Sequence, residues 1–190
     1  AAHHILLAHG LGMKVLQKNS PDSLNGIVLN FTPCYPSTDS DADKLAADYA
    51  DQYINQWYIK PLFDASYPKM IDELDENCKP EILDGDMDII AQPLDFLGVN
   101  YYTRLTYSAP TQAGEFYTEL EHLYPRTDIG WEIYPKALTE LLVSLNTQYK
   151  LPPVYIAENG AAMPDKMEDG VINDLDRIDY YHKHLNAVND

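Results

Sequence analysis

The fold is decided by the stretch Val154-Tyr155-Ile156-Ala157-Glu158-Asn159-Gly160. Its apolar residues follow one another without alternation, which is typical of a strand covered on both faces, as in a parallel sheet. Asn159-Gly160 are turn residues, so a strand is predicted over Val154–Ala157 and Glu158 stands where it ends. Rigid backbone would hold a carboxylate placed there. On its own, however, Glu-Asn-Gly indicates no more than a turn.

Two further stretches show the same pattern, Gly26-Ile27-Val28-Leu29-Asn30 and Asp95-Phe96-Leu97-Gly98-Val99-Asn100. Each is apolar without alternation and ends in a polar residue. Asn30, Asn100 and Glu158 therefore lie at the carboxyl ends of three predicted strands. Ligands bind parallel α/β sheets at that edge, so we expect the binding or catalytic site to lie there.

Helices are predicted between the strands, over residues 3 to 18, 41 to 59, 135 to 148 and 175 to 188. The first should end near Asn19-Ser20-Pro21-Asp22, and the third should begin at Pro135. Pro33 and Pro36 open a predicted loop, and residues 101 to 134 form a long insertion. Two apolar faces are expected: Ile5, Leu6, His9, Met13 and Leu16 on the first helix, and Leu45, Tyr49, Tyr53 and Trp57 on the second.

The predicted order αβαβαβα indicates a parallel α/β architecture, either an open doubly wound sheet or a closed barrel. No Gly-x-Gly-x-x-Gly or Walker-type loop follows any of the three strands. This absence argues against an open nucleotide-binding sheet and favours a barrel.

Composition excludes several function classes. The 190 residues are 45% hydrophobic and 23% charged, as in a globular domain, and the net charge of −17 disfavours nucleic acid and anionic membranes as partners. Cys34 and Cys78 are too few for a disulfide framework, and the histidines lack metal-ligand spacing, so we expect no metal and no cofactor. With no signal peptide or membrane-length apolar run visible, the expected location is a bacterial cytoplasm.

The stretch from Val154 to Ala162 resembles the nucleophile motif of glycoside hydrolase family 1, the β-glucosidase family, usually Ile-Thr-Glu-Asn-Gly. Ala157 stands where Thr is commoner. Further blocks are similar to the family's in the same order and cover nearly the whole chain: Ala1-Ala2-His3-His4 with Leu6 to Gly10, Gly26 to Asn30, Gln56-Trp57 with Pro61-Leu62-Phe63 and Tyr67-Pro68, Asp95 to Thr103, and Gly130 to Pro135.

The resemblance implies a retaining β-glycosidase with Glu158 as nucleophile, acting on a small β-glycoside or oligosaccharide. Tyr102 matches the tyrosine that hydrogen-bonds the nucleophile, and Asn100 would lie near the floor of the sugar pocket. Trp131 resembles the tryptophan that stacks on the aglycone. The residue types leave alternatives open, because Tyr101-Tyr102 is also consistent with packing at a strand end and Trp131 with a core position.

The family's acid/base motif, Asn-Glu-Pro after the fourth strand, is expected before Ala1. Residues 1–190 are therefore predicted to form one fragment of a (β/α)8 TIM barrel, with strands roughly 5 to 7, from the helix after strand 4 to the helix after strand 7. Alone, the fragment should be inactive and should associate through its unclosed barrel edges. Two alternatives remain, namely a catalytically inactive sugar-binding or scaffold remnant, and a 6-phospho-β-glycosidase.

Overall fold

A computed structural model of the chain describes residues 1–121 and 124–189. The helices are α1 (Ala2–Asn19), α2 (Asp41–Asp51), α3 (Trp57–Asp64), α4 (Asp86–Ile90), α5 (Lys136–Gln148) and α6 (Leu175–Asn189), with a π-helical segment at Gln52–Gln56 and a 3-10 segment at Lys69–Glu73. The strands are β1 (Gly26–Phe31), β2 (Cys34–Pro36), β3 (Phe96–Tyr101), β4 (Leu105–Ser108), β5 (Thr118–Glu119), β6 (Val154–Glu158), β7 (Met167–Glu168) and β8 (Val171–Ile172).

The central sheet has the strand order β1-β3-β6, with both pairs parallel. All three predicted strands are confirmed, and α1, α5 and α6 match their predicted ranges to within one residue. In each case a long apolar run or a strong helical period specified the element. None of the helices within residues 1–121 and 124–189 is long and apolar enough to cross a membrane.

The sheet buries one face only. Side chains of Leu29, Leu97 and Val99 join helix residues in the main core, whereas Val28 and Tyr155, which flank Gly98 on the other face, are 47% and 57% exposed. The expectation that both faces are covered is therefore wrong for the described chain. Continuous apolar character fits a barrel strand, whose inner face is covered only when the remaining strands surround it.

The predicted face of the first helix is partly wrong. Leu6 and Met13 are buried as expected, but Ile5 and Leu16 are 63% and 46% exposed. The buried stripe of α1 instead includes Gly10, where an added Cβ would lie 1.9 Å from the carbonyl oxygen of Ile89. Close contact with α4 thus sets the helix orientation, and a count of apolar residues does not detect it.

The second predicted helix is present as continuous helical backbone, but it contains a π-helical segment and buries a different face from the expected one. The π-helical segment separates α2 from α3, and α2 buries Ala46, Ala47 and Ala50 against Tyr107. Leu45 and Tyr53 are each 54% exposed, Tyr49 is half-buried and Trp57 is buried. Small side chains let α2 approach β2 and β4 closely, which the larger residues of the predicted face would prevent.

The predicted loop after Pro33 and the long insertion contain a second small sheet, of order β2-β4-β5. Its β2 and β4 are parallel, with Cys34 opposite Leu105, and β5 is antiparallel to β4. Strands of two to four residues carry too little pattern to be recognised in a sequence. This sheet matters because it stands beside the carboxyl ends of β1 and β3.

Candidate active site

The three predicted strand-end residues lie side by side. The register pairs Asn30 with Asn100 and Asn100 with Glu158, across β1, β3 and β6. Register-matched side chains of a parallel sheet point to the same face. Neighbouring Leu29 and Val99 point into the core, so the row of Asn30, Asn100 and Glu158 lies on the opposite, open face.

A β-bulge directs Glu158 into this row. Val99 pairs with Ile156, but Asn100 pairs with Glu158, so Ala157 is an extra residue of β6. If Ala157 were instead paired with Asn100, without a bulge, Glu158 would stand opposite Tyr101, whose side chain is fully buried in the core. The bulge therefore converts a core-facing position into one where a carboxylate is exposed at the sheet edge.

Tyr102 contacts the carboxylate directly. Its hydroxyl donates a hydrogen bond to Oε2 of Glu158. This bond, followed by burial and by the carboxylate charge, raises the pKa of the Tyr102 phenol. The phenol thus remains a proton donor at neutral pH, and its hydrogen bond fixes the rotamer of the Glu158 carboxylate.

Asn159 links the end of β6 to β3 and α6 by hydrogen bonds. Its Nδ2 donates to the carbonyl oxygen of Tyr101 at 2.8 Å and to the hydroxyl of Tyr180 at 3.0 Å. Tyr180 is buried and stacks on His184 of α6, with ring centroids 3.8 Å apart. Sequence reasoning identified Asn159 only as a turn residue, because nothing local indicates that its amide reaches two other elements.

Trp131 forms the wall of a cleft. The residue is 39% exposed, and its ring centroid lies 5.3 Å from that of Tyr102, at an interplanar angle of 53°. Both rings line a cleft of about 420 Å³, together with Asn30, Thr32 and Glu119. Of the two alternatives for Trp131, the structure places it at a surface cleft rather than in the core.

A buried ion pair supports this wall. Arg104 Nε donates to Oε2 of Glu132 at 2.7 Å, and the two side chains are 10% and 1% exposed. Thr103 also donates its hydroxyl to the carbonyl oxygen of Glu132 at 3.0 Å. The ion pair thereby links Glu132, which follows Trp131, to Arg104, which lies two residues after Tyr102. Sequence analysis missed it, since both residues lie in the predicted insertion.

Aromatic rings surround the arginine of this pair. The Arg104 guanidinium lies over three tyrosine rings, at centroid distances of 3.5 Å for Tyr134, 4.5 Å for Tyr35 and 4.9 Å for Tyr124. Such contacts stabilise a cation that has left water. The rings and the Glu132 carboxylate together stabilise the buried Arg104 charge.

Among the described histidines, His3 has a structural role. His3 is buried, with Nδ1 2.8 Å from the Tyr67 hydroxyl and Nε2 3.0 Å from Oδ2 of Asp86. In residues 1–121 and 124–189, no three His, Cys, Asp or Glu side chains form a group that could hold a metal ion. His122 lies outside the described residues.

A sequence model described as glycosyl hydrolase family 1 matches residues 1–190. A beta-glucosidase of Agrobacterium sp. is 38% identical over 197 residues, covering 100% of this chain and 42% of that protein. A 6-phospho-beta-galactosidase of Clostridium acetobutylicum is 32% identical over 216 residues, covering 98% and 45%. The chain thus spans less than half the length of these relatives.

Solved structures agree with the sequence comparison. The virulence factor SghA of Agrobacterium tumefaciens matches with a TM-score of 0.93 and 37% identity, over 98% of this chain and 42% of that one. The same values hold for its complex with the substrate analogue salicin. These likenesses confirm the predicted fold class, a part of a (β/α)8 barrel.

Proposed function

The chain belongs to glycosyl hydrolase family 1, and we propose that it carries the nucleophile half of a retaining β-glycosidase active site. Glu158 is the proposed nucleophile. The observation that carries this proposal is the hydrogen bond from Tyr102 to Glu158. It holds an exposed carboxylate at the carboxyl edge of the sheet, where parallel barrels bind their substrates.

In the proposed reaction, a Glu158 carboxylate oxygen attacks the anomeric carbon and forms a glycosyl ester. The bond from that carbon to the aglycone oxygen breaks, and a second carboxyl group gives its proton to the leaving oxygen. A water molecule, deprotonated by that second group, then attacks the anomeric carbon and releases the sugar and Glu158. Retention requires the two carboxyl groups to be about 5 to 5.5 Å apart.

The proposed substrates are β-linked glucosides or related small glycosides. Buried Oδ1 of Asn100, next to Glu158 in the row, accepts no hydrogen bond from the described residues. A buried acceptor without a donor is costly, so this atom suits a sugar hydroxyl. The half-exposed Trp131 ring suits the aglycone. SghA, which matches this chain, binds salicin as a substrate analogue.

We further propose that residues 1–190 run from the helix after barrel strand 4 to the helix after strand 7. The acid/base carboxylate would then come from chain outside these residues. This is supported by the 42% share of the Agrobacterium relative that the chain covers and by the three-stranded sheet, which is too small to close. On its own the chain should hydrolyse no glycoside and should associate through β1 and β6.

The experiment is a nucleophile-rescue assay on the full polypeptide that carries these residues. Glu158→Ala should abolish hydrolysis of an aryl β-glucoside, and added azide should restore aglycone release by attacking the anomeric carbon in place of the carboxylate. Because azide displaces the aglycone in a single inverting step, the product should be the α-glycosyl azide. Rescue with a β-configured product, or undiminished hydrolysis by Glu158→Ala, would refute the assignment. Tight glucoside binding without wild-type turnover would instead indicate an inactive sugar-binding protein.

A 6-phospho-β-glycosidase is the second candidate, and the Clostridium 6-phospho-beta-galactosidase, at 32% identity, supports it. Both activities use the same nucleophile chemistry and differ in the group at sugar carbon 6. Paired assays with an aryl β-glucoside and its 6-phosphate distinguish them. A preference for the phosphorylated substrate would select the second candidate and leave the role of Glu158 intact.

A further inference from the structure

Glu119 is the charged residue of the cleft beside Trp131. Of the ten described residues that line this cleft, Glu119 alone has an acidic or basic side chain that is formally charged at neutral pH, and the same lining includes Leu105, Ile129 and Trp131. An apolar and aromatic wall suits a planar or sugar-ring aglycone. A single carboxylate in that wall would therefore attract a cationic aglycone and repel an anionic one.

The small sheet fixes the position of this carboxylate. Glu119 lies in β5 directly opposite Tyr107 of β4, and residues opposite each other in an antiparallel pair share a face. Burial, with smaller contributions from the charges of Asp51 and Glu119, raises the pKa of the Cys34 thiol. Cys34 lies opposite Leu105, which lines the cleft, so the charge of Glu119 acts on the face of the small sheet that includes Leu105.

No neighbouring cation neutralises Glu119. In the part of the chain that the structure describes, none of the nine ion pairs includes it. Arg104, the arginine nearest in sequence to β4, is already paired with Glu132. Glu119 is hydrogen-bonded by the Tyr107 side chain but is balanced by no cation in these ion pairs, so it presents a negative charge at the cleft where the leaving group of a bound glycoside would lie.

We propose that Glu119 makes the leaving-group subsite selective by charge, so that it takes neutral and cationic aglycones and rejects anionic ones. This inference rests on the proposed β-glycosidase function. A partly exposed charge pair changes binding modestly, so the selectivity is expected to be about three- to tenfold for each sign of aglycone charge.

The test uses three aryl β-glucosides that differ only in the para substituent: a carboxylate, a carboxamide or an aminomethyl group. The ratios of kcat/KM, anionic to neutral and cationic to neutral, are compared in the full polypeptide for wild type, Glu119→Gln and Glu121→Gln. Glu121 is exposed, lies outside the cleft lining and removes the same charge two residues away. Comparing one substrate set across variants cancels differences in leaving-group reactivity.

In Glu119→Gln the anionic-to-neutral ratio should rise about three- to tenfold and the cationic-to-neutral ratio should fall by a similar factor. Ratios that do not move, or that move equally in Glu121→Gln, would overturn the proposal. If the wild type hydrolyses none of the three glucosides, the proposed β-glycosidase function is wrong, and this result is distinct from a failure of the charge proposal. Calorimetric dissociation constants of the same glucosides for wild type and Glu119→Gln then decide the charge preference, and absence of binding of all three overturns both proposals.

Discussion

The Tyr102 hydroxyl donates a hydrogen bond to the Glu158 carboxylate, joining the residue after β3 to the last residue of β6. Two features of the backbone make this contact possible. The bulge at Ala157 turns Glu158 to the open face, and Asn159 holds the following turn against Tyr101 and Tyr180. The bulge and the hydrogen bonds of Tyr102 and Asn159 thus hold the proposed nucleophile in place.

Removal of the Tyr102 hydroxyl is expected to slow the reaction without unfolding the protein. A hydrogen bond to a charged group contributes about 1.5–3 kcal/mol, so Tyr102→Phe should lower kcat/KM roughly 10- to 150-fold. Tyr53→Phe is the matched control, since Tyr53 is 54% exposed and forms an edge contact with Trp57. Equal activity of the two variants would show that the contact with Glu158 has no catalytic value.

This effect should not depend on pH near neutrality. The folded-state pKa of Tyr102 is raised, chiefly by its bond to Glu158, so the bonded phenol persists below its unfolded pKa of about 10 and is lost only as pH rises through the folded value. The activity ratio of wild type to Tyr102→Phe should be constant from about pH 5 to 9. A ratio that collapses between these limits would contradict a neutral phenol donor.

The bulge at Ala157 is expected to be essential for the position of the Glu158 carboxylate. Deletion of Ala157 leaves Glu158 opposite Asn100 but removes the bulge, so the Glu158 carboxylate is displaced from the Tyr102 hydroxyl and Asn159 from the Tyr101 carbonyl oxygen. Activity should fall at least about 100-fold below that of Ala157→Ser, which keeps the extra residue. Thermal unfolding of both variants separates this effect from global unfolding. A folded deletion variant as active as Ala157→Ser would rule out a role for the bulge.

The Arg104–Glu132 pair is expected to be strongly coupled. Replacement of one partner leaves a buried charge unpaired, which costs about 3–5 kcal/mol, so Arg104→Met and Glu132→Leu should each destabilise the protein by that amount. The double variant should be far more stable than the sum of the two losses predicts. Urea unfolding in a double-mutant cycle measures this coupling, and additive losses would show that the two side chains do not interact.

Asp43 is expected to make stability depend on acid pH. Hydrogen bonds from Thr38, from the backbone amide of Ala109 and from Ser37 lower its pKa from 3.8 to about 2. A depressed carboxyl pKa contributes stability above the unfolded value, and this is lost as pH falls from about 4 through about 2. Asp43→Asn should reduce the decrease in melting temperature between about pH 4 and about pH 2.

The control for this prediction is Asp41→Asn, which removes the same charge from the first turn of α2 without touching Ser37, Thr38 or Ala109. If both variants show the same acid dependence as wild type, the hydrogen bonds to Asp43 have no thermodynamic weight.

The main elements were predictable from sequence because their signals are long. The runs ending at Asn30, Asn100 and Glu158 specified three parallel strands, and the structure places their ends in one row. Their common edge followed from topology alone, since parallel strands present all carboxyl ends together. The resemblance in the stretch around Glu158 supplied the chemistry that topology does not specify.

What sequence reasoning missed depends on contacts between distant residues. The alanine face of α2 is chosen by the small sheet, which is itself built from strands too short to recognise. The bulge at Ala157 appears only when two strands are paired, and the Arg104–Glu132 pair joins residues 28 positions apart. Such features arise from packing and register, and no local pattern of residue types encodes them.

The most direct test of the central claim is to trap the covalent intermediate on the full polypeptide with a 2-deoxy-2-fluoro-β-glucoside that carries a good leaving group. Fluorine at carbon 2 destabilises the oxocarbenium-like transition states, and the good leaving group lets the first step outrun the second. Peptide mass spectrometry should find one fluoroglucosyl group on Glu158. A label on any other residue, or an active enzyme that releases one equivalent of leaving group without labelling Glu158, would contradict its assignment as the nucleophile.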